Sequence, residues 1–574
     1  MLAARERGDL VFSRVRLSIV FAGAAVLLVG GWDAAPWVAL AAAVFFVVLA
    51  LHARALNARD RARAAVLFYE RALDRMDGRW SGRGDSGERF RQPDHLYAED
   101  LDLFGRGSLF ELLSTARTRA GEEALARWLL APAAPDEIAS RQAAARELAA
   151  ELDLREAIAV LGDGVGVGVQ PDALRRWATA PVVLRGAGVR LLFAALAGGT
   201  VVAVTHWATT GEPLPMLALF TLSAAVASWY RQRVLHVIDA VTDPAHDLDL
   251  LADVLRTIER HSFRSPGLQR LREALGGTSR PAAAEIARLD QLVALLSSRR
   301  NIMFAGPAAL LLWATQFAFA IEAWRGRAGP HIPRWLDAIG EFEALSSLAT
   351  YTAEHPDDAF PEFVADDITL DAGALTHPLL PPGAIRNDVT LGGAAPHLLV
   401  VSGSNMSGKS TLLRALGVNV VLAHAGAPVR AARFRLSPLA VGASIRIQDS
   451  LQDGRSRFFA EITRLKHVVD AARAERGGVL FLLDEILAGT NSHDRRLGAE
   501  ALLTGLVDLG AIGAVTTHDL ALGEIALSLG PRAANVHFED RFAAGTLDFD
   551  YVLRPGIVRT SNALPLMRSI GLDV

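Results

Sequence analysis

The stretch "VVSGSNMSGKSTLLRALG", from Val400 to Gly417, decides the fold of the C-terminal part of this chain. It fits the phosphate-loop pattern G-x-x-x-x-G-K-[ST], whose fixed positions fall at Gly403, Gly408, Lys409 and Ser410. The apolar run "HLLVV" before it predicts a buried strand, and "TLLRALGVNVVLA" after it predicts a helix. A strand, loop and helix with this pattern predict an α/β P-loop domain that binds nucleotide phosphates.

The phosphate loop contains one of only two lysines in a chain that otherwise uses arginine for positive charge. Its glycines let backbone N–H groups face phosphate oxygens at the start of a helix. Lys409 is a compact cation that can reach the β- and γ-phosphates, a space that the planar guanidinium of arginine fits less well. The hydroxyl of Ser410 is a suitable ligand for Mg²⁺. We therefore expect ATP and Mg²⁺ as cofactors, with nucleotide contacts from Gly403, Ser404, Asn405, Met406, Ser407, Gly408, Lys409, Ser410 and Thr411.

Length and composition set the broad class of the protein. A chain of 574 residues predicts two to four domains. Its formal charge of −4 gives no global sign of nucleic-acid binding, although it leaves room for a local basic patch. The absence of cysteine from the sequence excludes disulfides, thiol catalysis and cysteine zinc sites. A hydrophobic content of 51% is high for a soluble enzyme and favours membrane segments.

Four apolar runs approach or reach the length of a membrane span, and they form two pairs. The first pair is 17–32 and 34–53, and the second pair is 191–211 and 213–230. A crossing helix needs roughly 20 apolar residues, so the first run is short on its own. In both pairs the turn carries only an acidic residue, and arginines flank the outer ends. This pattern predicts two transmembrane hairpins in the inner (cell) membrane, with the other domains cytoplasmic. A signal peptide is the alternative for the first run, and the second run directly after it disfavours that reading.

A further apolar run, 301–321, also passes the length test. Arginines flank it on both sides, which gives no preferred orientation in a membrane. A single crossing here would also place the phosphate loop outside the cell, away from ATP. We therefore predict a buried helix of a soluble core, with a fifth span as the alternative.

The segment "VLFLLDEILAGTNSHDRR", which begins at Val479, predicts the second half of a nucleotide site. Four apolar residues lead into Asp484 and Glu485, as in a buried strand that ends in two carboxylates. In P-loop ATPases such an aspartate holds Mg²⁺ and such a glutamate polarises the attacking water. The alternative is an ordinary strand that ends in a solvated acidic turn.

Two further segments are informative only beside these motifs. "AVTTHDL" places His518 at the end of a third apolar strand, where it is suited to sense the γ-phosphate; a structural role is the alternative. "IQDSLQDGRSRFFAEI", residues 447–462, reads alone as a polar loop before a helix, with Ser456 as a possible helix cap. The predicted catalytic residues are therefore Lys409, Glu485 and His518.

These motifs together resemble the MutS family of ABC-type ATPases. "SGSNMSGKST", "DEILAGTNSHD" and "TTHD" look like that family's phosphate loop, second motif with dimer-contact loop, and histidine switch. "DSLQDGRSRFFAEI" resembles its ABC signature, which implies that Ser456, with Gly454 beside it, contacts the nucleotide of the opposite subunit. The resemblance further implies a homodimer through the ATPase domains, DNA as a possible partner, and a place for Asn387 of "RNDVTL" near the adenine.

The resemblance extends upstream and suggests the domain order. "GSLFELLSTARTRAGEEALARWLLAP" looks like the start of the MutS helical core, and the segment from Trp335 looks like its lever helix. The chain is most similar to the membrane-anchored MutS-like proteins of bacteria. The resulting fold class is an α/β ABC-type ATPase domain preceded by an all-α core that carries two transmembrane hairpins. The expected boundaries are 1–55 (first hairpin), 56–94 (basic helix and linker), 95–188 (core), 189–230 (second hairpin), 231–360 (core and lever) and 361–574 (ATPase).

Departures from the family pattern affect the expected function. The first hairpin occupies the place of the mismatch-reading domain, which puts mismatch recognition in doubt while the ATPase motifs remain. One hypothesis is therefore a membrane-anchored ATPase that hydrolyses ATP at a dimer interface, drives a clamp-like rearrangement of the core and binds DNA. The alternative is an ABC-type ATPase that serves a membrane process, as a transporter or a scaffold, without DNA. Against transport, the spans carry no internal charges that would mark a pathway.

Overall fold

A computed structural model describes residues 35–161, 171–242, 248–301, 304–365, 367–404, 406–446, 457–518, 520–543 and 546–557, with five positions before residue 35. Up to residue 360 the described chain is helical, and after it the chain forms two β-sheets with helices. The helices of the first part are α1 (Ala35–Met76), α2 (Leu109–Leu113), α3 (Arg119–Leu130), α4 (Pro135–Ala150), α5 (Leu152–Val160), α6 (Pro171–Thr179), α7 (Ala187–Thr210), α8 (Leu214–Thr242), α9 (Leu248–Arg260), α10 (Pro266–Ala274), α11 (Ala282–Ser297), α12 (Ala305–Leu310), α13 (Trp313–Ala328) and α14 (Ile332–Glu354).

Helix α1 joins the apolar N-terminal region to the helical core without a break. It runs through residues 55 and 56, where the sequence analysis placed a boundary. Its first half exposes large apolar side chains, and its end is fixed to the end of α14 by Arg75. The Arg75 guanidinium donates to both carboxylate oxygens of Glu354, at 2.8 and 2.5 Å, and both side chains are largely buried. Such a two-bond ion pair fixes the angle as well as the distance between two helices.

Helices α7 and α8 form an antiparallel hairpin. The rings of Phe193 and Tyr230 meet edge to face 5.5 Å apart across it. Along its length the pair exposes large apolar side chains, among them Leu191, Val202, Leu214, Leu217, Phe220 and Trp229. Beyond residue 230 α8 continues as one helix and buries Val234, Val237, Ile238 and Val241 in the core. The hairpin is therefore rooted in the soluble core by one of its own helices.

Among the described residues, two stretches are long and apolar enough to cross a membrane, Ala39–Met76 in α1 and Gly188–Thr210 in α7. The prediction of four spans in two hairpins is corrected to these two candidates. The first predicted span, 17–32, lies almost wholly outside the described residues, and the fourth belongs to α8, which is not a candidate. Only 6% and 28% of the two apolar windows are buried, so neither packs as a helix inside a soluble core does.

The run 301–321 forms two helices instead of the single buried helix that the sequence predicted. α12 ends at Leu310 and α13 begins at Trp313, because Leu312 between them adopts a left-handed backbone with φ 51°. The run is not among the membrane candidates of the described chain. The apolar part of α13 is buried, with Ala318, Phe319, Ile321 and Trp324 in the core.

The C-terminal part is an α/β domain built on a six-stranded sheet. Its strands and helices are β1 (Glu362–Phe363), β2 (Thr369–Leu375), β3 (Asn387–Gly392), β4 (Leu398–Ser402), α15 (Lys409–Ala425), β5 (Arg433–Leu436), β6 (Ala440–Ser444), α16 (Arg457–Ala474), β7 (Val479–Asp484), α17 (Ser492–Asp508), β8 (Ile512–Thr517), α18 (Glu524–Ser528), β9 (Ala533–Ala543) and β10 (Thr546–Pro555). The large sheet has the order β10-β9-β4-β8-β7-β6, and a smaller sheet has the order β1-β5-β2-β3.

The large sheet brings the predicted motifs together. β8 lies between β4 and β7, and all three are parallel, with Ser402 opposite Thr517 and Asp484 opposite Thr516. β9 is parallel to β4, and β10 is antiparallel to β9 at the edge. The carboxyl ends of β4, β7 and β8 therefore meet at one edge, which is where open α/β sheets bind ligands.

Candidate nucleotide site

The phosphate loop leaves β4 at Ser402 and enters α15 at Lys409, as the sequence predicts. Gly408 adopts φ 103°, a left-handed conformation that glycine takes without strain. A Cβ at Gly403 would lie 2.7 Å from Oγ of Ser407, so this position has no room for a side chain. Both glycines thus meet a geometric need of the loop.

Lys409 lies over the loop with its ammonium group pointed back at it. Nζ donates to the carbonyl oxygens of Gly403 and Ser404, both at 2.8 Å. It lies 4.0 Å from Oε1 of Glu485, and the side chain is almost fully buried. Burial lowers the pKa of Lys409, and the nearby carboxylates of Glu485, Asp484 and Asp540 oppose that shift. A buried cation at the mouth of this loop is suited to bind an anion.

Two hydroxyl groups of the loop are buried without a hydrogen-bond partner in the described chain, Oγ of Ser404 and Oγ of Ser407. Buried polar atoms are usually paired, and leaving one unpaired costs roughly 1–3 kcal/mol. Donors that stay unpaired beside a buried cation fit a loop that is built for a polar ligand. Met406, in contrast, is exposed at the tip of the loop with φ 73°.

The two carboxylates after β7 take different positions. Asp484 accepts a hydrogen bond from the hydroxyl of Thr516 on the neighbouring strand β8. The backbone N–H of Glu485 donates to the carbonyl and to the hydroxyl of the same threonine, at 3.3 and 3.2 Å. Thr516 therefore fixes both acidic residues relative to the sheet.

Glu485 connects the motifs of two strands. Its Oε1 lies 3.3 Å from Nδ1 of His518, which follows β8, in addition to its approach to Lys409. The backbone of Glu485 has φ 46° and that of Leu487 has φ 57°, both left-handed and strained for residues with a side chain. Strain of this kind persists only where the surrounding structure holds it, and it is frequent at functional sites.

The loop after Glu485 is held from both sides. The buried carboxylate of Glu461 on α16 accepts from the N–H of Leu487. Arg495 on α17 donates to the carbonyl oxygens of Leu487 and Ala488, both at 3.1 Å. Asn491 caps α17 by accepting from the N–H of Asp494 at 2.9 Å. The loop that the resemblance assigns to dimer contact is thus rigidly anchored.

A cavity of about 810 Å³ opens beside the phosphate loop. It is lined by Lys409, Asp484 and Glu485 of the predicted motifs, and by Ile385 and Tyr551. Its size falls within the usual range of roughly 300–1,000 Å³ for ligand pockets. Among the further lining residues are Ser410 and Thr411 of the predicted phosphate contacts, and His377, whose pKa burial lowers to about 4.

Asn387 lines this cavity but its amide is used for structure. Nδ2 donates to the carbonyl of Tyr551 at 3.1 Å, and Oδ1 accepts from the N–H of Leu553 at 2.7 Å. The side chain therefore fixes β10 to β3 at the cavity wall. In this position Asn387 orients Tyr551. The Tyr551 ring packs against Gly408 of the phosphate loop, where an added Cβ would lie 3.2 Å from the ring.

Some predicted residues lie outside the described chain, namely Asn405 of the phosphate loop and Gly454 and Ser456 of the signature. The described residues bring together Lys409, Asp484, Glu485 and His518, which the sequence predicted as a group. They also include contributors that the sequence analysis gave no role, Thr516, Glu461 and Tyr551. The described residues contain no cluster of three or more His, Cys, Asp or Glu that could hold a metal by itself.

Comparison with known proteins matches the same region. Residues 399–573 match the family described as MutS domain V. The chain is 34% identical over 244 residues to the DNA mismatch repair protein MutS of Natronomonas pharaonis. This match covers 41% of this chain and 27% of that protein. The chain is 34% identical over 251 residues to the endonuclease MutS2 of Thermus thermophilus, a match that covers 42% of this chain and 31% of that protein. It is 32% identical over 241 residues to the DNA mismatch repair protein MSH3 of Phaeosphaeria nodorum, a match that covers 41% of this chain and 21% of that protein. The chain thus spans less than a third of the length of these curated relatives.

Proposed function

We propose that this chain, a MutS-like protein by its C-terminal domain, binds and hydrolyses ATP between two copies of itself. The observation that carries the proposal is the meeting of Lys409, Asp484, Glu485 and His518 at one edge of the sheet, beside a nucleotide-sized cavity. The relatives are DNA mismatch repair proteins and an endonuclease by their names, and they match only about two fifths of this chain.

ATP binding follows from the phosphate loop. We assign phosphate binding to the N–H groups at the start of α15 and to the Lys409 ammonium. The buried hydroxyls of Ser404 and Ser407 in the same loop are further donors. Tyr551, beside Gly408, and Ile385 also line the cavity, and we assign them contact with the adenine ring. Stacking of a base on an aromatic side chain contributes roughly 1–3 kcal/mol.

Mg²⁺ would be held by Ser410 and Asp484, together with phosphate oxygens and water. This donor set fits the ion, because Mg²⁺ prefers oxygen ligands and usually keeps several waters and few protein ligands. When bound, the ion neutralises charge that develops on the phosphates. Thr516 contributes by orienting the Asp484 carboxylate.

Hydrolysis needs a base near the γ-phosphate, and the location of Glu485 beside Lys409 of the phosphate loop supports that role. Its carboxylate is partly exposed to the cavity and lies close to both Lys409 and His518. We assign it the polarisation of the attacking water. His518, about half exposed, then senses the γ-phosphate and reports it through its contact with Glu485.

A dimer completes the site. On the family resemblance, Ser456 and Gly454 of one protomer contact the nucleotide of the other. The support in this chain is the rigid loop after Glu485, which Glu461, Arg495 and the Asn491 cap hold in place. A loop held in this way can present a fixed surface to a partner.

Membrane anchoring and DNA binding complete the proposal. The support for anchoring is the exposed apolar surface of α1 and of the α7–α8 hairpin. The anchored protein belongs to the inner membrane with its core and nucleotide domain in the cytoplasm, where ATP is available. Confinement to a membrane raises the local concentration of protomers and favours the dimer. DNA is the partner that the relatives' names suggest, and any DNA bound at the membrane surface must overcome repulsion by anionic lipid.

The second candidate function is an ATPase that serves a membrane process without DNA. The observation that favours it is the continuity of α8, which runs from the exposed hairpin into the core and could transmit movement to the membrane. Scaffold and transport roles both belong to this alternative.

The test of the proposed function is the ATPase activity of the purified full chain in detergent, with and without perfectly paired, mismatched and branched DNA. We expect Mg²⁺-dependent hydrolysis that Lys409→Ala abolishes, while Lys466→Ala, at an exposed lysine of α16, retains it. Stimulation by one kind of DNA supports the first candidate. Activity that no DNA changes supports the second, and absence of hydrolysis contradicts both.

A further inference from the structure

Asp100 of the helical part is buried against the nucleotide domain. It lies in the turn that precedes α2 and is 1% exposed. Its Oδ1 accepts from the backbone N–H groups of Ile445 and Arg446, each at 2.7 Å, and its Oδ2 accepts from the guanidinium of Arg464. One carboxylate of the helical part therefore binds two separate segments of the other domain.

These two segments stand on either side of residues 447–456. Ile445 and Arg446 directly precede them, and Arg464 lies in α16, which directly follows them. Arg464 also donates through Nε to the carbonyl of Ala443 at 3.0 Å, so that α16 is fixed to the end of β6. Asp100 thus sets the spacing and direction of both flanks of the segment that the sequence assigns to the trans signature.

The next two residues extend the link to the phosphate-loop helix. Leu101 is fully buried, and a Cβ on Gly417 of α15 would lie 2.6 Å from its Cδ2. Asp102 pairs with Arg414 of α15 at 3.5 Å and with Arg446. Three consecutive residues therefore join α15, which carries the phosphate loop, to the flanks of residues 447–456.

We infer, on the basis of the proposed dimer, that Asp100 is a positioning residue for the trans contact: it holds the two flanks of residues 447–456 in the arrangement that this contact needs. Asp100 is not among the residues that line the nucleotide cavity. Its loss should therefore impair the partner's site and leave the nucleotide affinity of its own phosphate loop unchanged. A residue needed only for folding would impair its own protomer in both respects.

Asp100→Asn changes this contact with little change in shape. The amide oxygen still accepts from the N–H groups of Ile445 and Arg446. The amide nitrogen faces the Arg464 guanidinium, and two donors cannot pair. Because a buried pair is broken, we expect the ATPase rate of the variant alone to fall about tenfold or more. Binding of a fluorescent ATP analogue to the diluted, monomeric variant should match that of the wild type.

The deciding experiment mixes equal amounts of two impaired proteins, Asp100→Asn and Lys409→Ala. In a mixed dimer, the Asp100→Asn protomer supplies an intact phosphate loop and the Lys409→Ala protomer supplies an intact signature, so one site is complete. We expect recovery to about a quarter of the wild-type rate per protomer, because random pairing makes half of the dimers mixed and each has one complete site of two. No recovery would show that Asp100 acts on its own site and would overturn the inference.

Controls separate this outcome from the proposed function itself. A mixture of Ser456→Ala with Lys409→Ala should recover in the same way, and Glu485→Gln with Lys409→Ala should not. If the Ser456 mixture fails as well, the trans site is wrong; if only the Asp100 mixture fails, the positioning role is wrong. Asp94→Asn removes the same charge from an exposed position of the same segment and should behave as wild type. Arg464→Gln breaks the pair from the other side, and loss of folding or of ATP binding in both variants would also overturn the inference.

Discussion

The carboxylate Oε1 of Glu485 lies 3.3 Å from Nδ1 of His518. The two residues follow different strands, β7 and β8, and meet because these strands are parallel neighbours. The backbone N–H of Glu485 further donates to the carbonyl and to the hydroxyl of Thr516. The contact therefore joins the proposed base to the proposed γ-phosphate sensor.

Glu485→Gln should retain ATP binding and lose turnover. The amide keeps the size of the side chain and leaves Asp484 and Lys409 in place, but it cannot take a proton from water. We expect the rate of phosphate release to fall by at least about a hundredfold, which lies within the usual contribution of a general base. Glu475→Gln, at an exposed glutamate after α16, is the matched control. Normal hydrolysis by the first variant would assign the base to another residue.

Lys409→Ala should abolish high-affinity ATP binding. The loop then loses the only cation that lies over its carbonyl groups among the described residues. Equilibrium binding of a labelled ATP analogue measures the effect directly. Affinity equal to that of the wild type would refute the assignment of the phosphate loop.

Tyr551→Ala should weaken ATP binding by about tenfold, since one base–aromatic stack is worth roughly 1–3 kcal/mol. Tyr551→Phe keeps the ring and should bind ATP almost as the wild type does. Competition between ATP and inorganic triphosphate distinguishes base recognition from phosphate recognition. If both variants lose affinity equally, the ring does not stack on the base.

We expect the C-terminal end of α7, the second membrane candidate, to lie outside and the nucleotide domain to lie inside, and α8, which is rooted in the core, must then return to the inner side. The chain contains no cysteine, so single introduced cysteines are unambiguous labels. In intact cells, Thr210→Cys at the end of α7 should react with an impermeant maleimide, and Ser492→Cys at the start of α17 should react only after permeabilisation. Labelling of the second position in intact cells would contradict the proposed topology.

The contribution of Glu343 to the free energy of unfolding should fall as the pH rises from about 4.5 to about 7. Burial raises the pKa of Glu343 on α14 to about 7, although its carboxylate accepts from Arg117 and Thr118. In this window the folded state keeps a proton that the unfolded state has released, so stability is lost with rising pH. Glu343→Gln should therefore make the slope of the unfolding free energy against pH less negative than in the wild type. The remaining slope combines Glu122, whose pKa burial also raises to about 7, with His377, whose lowered pKa acts in the opposite direction. Urea unfolding of the wild type and of the variant at several pH values measures the two slopes, and equal slopes would contradict the prediction.

The sequence predicted those parts of the site whose signals are local. The strand, loop and helix around Lys409 are confirmed, because glycine spacing and apolar runs report short-range structure. The sequence analysis placed a boundary after residue 230, where arginines follow an apolar run, and it gave no sign that α8 continues through this point into the core. The break at Leu312 has no signal in a uniformly apolar run. Tyr551 reaches Gly408 only through the pairing of β9 with β10 and the Asn387 contact, which single-sequence patterns do not show.

The central claim is that two protomers enclose ATP between them. The most direct measurement is the mass and nucleotide content of the Glu485→Gln protein in detergent with ATP and Mg²⁺, by mass photometry and by quantifying bound ATP. We predict a dimer with two ATP molecules that reverts to monomers when ATP is removed, and no such dimer when Lys409→Ala is added. A monomer that binds one ATP, together with wild-type turnover per protomer that does not depend on protein concentration, would contradict the account.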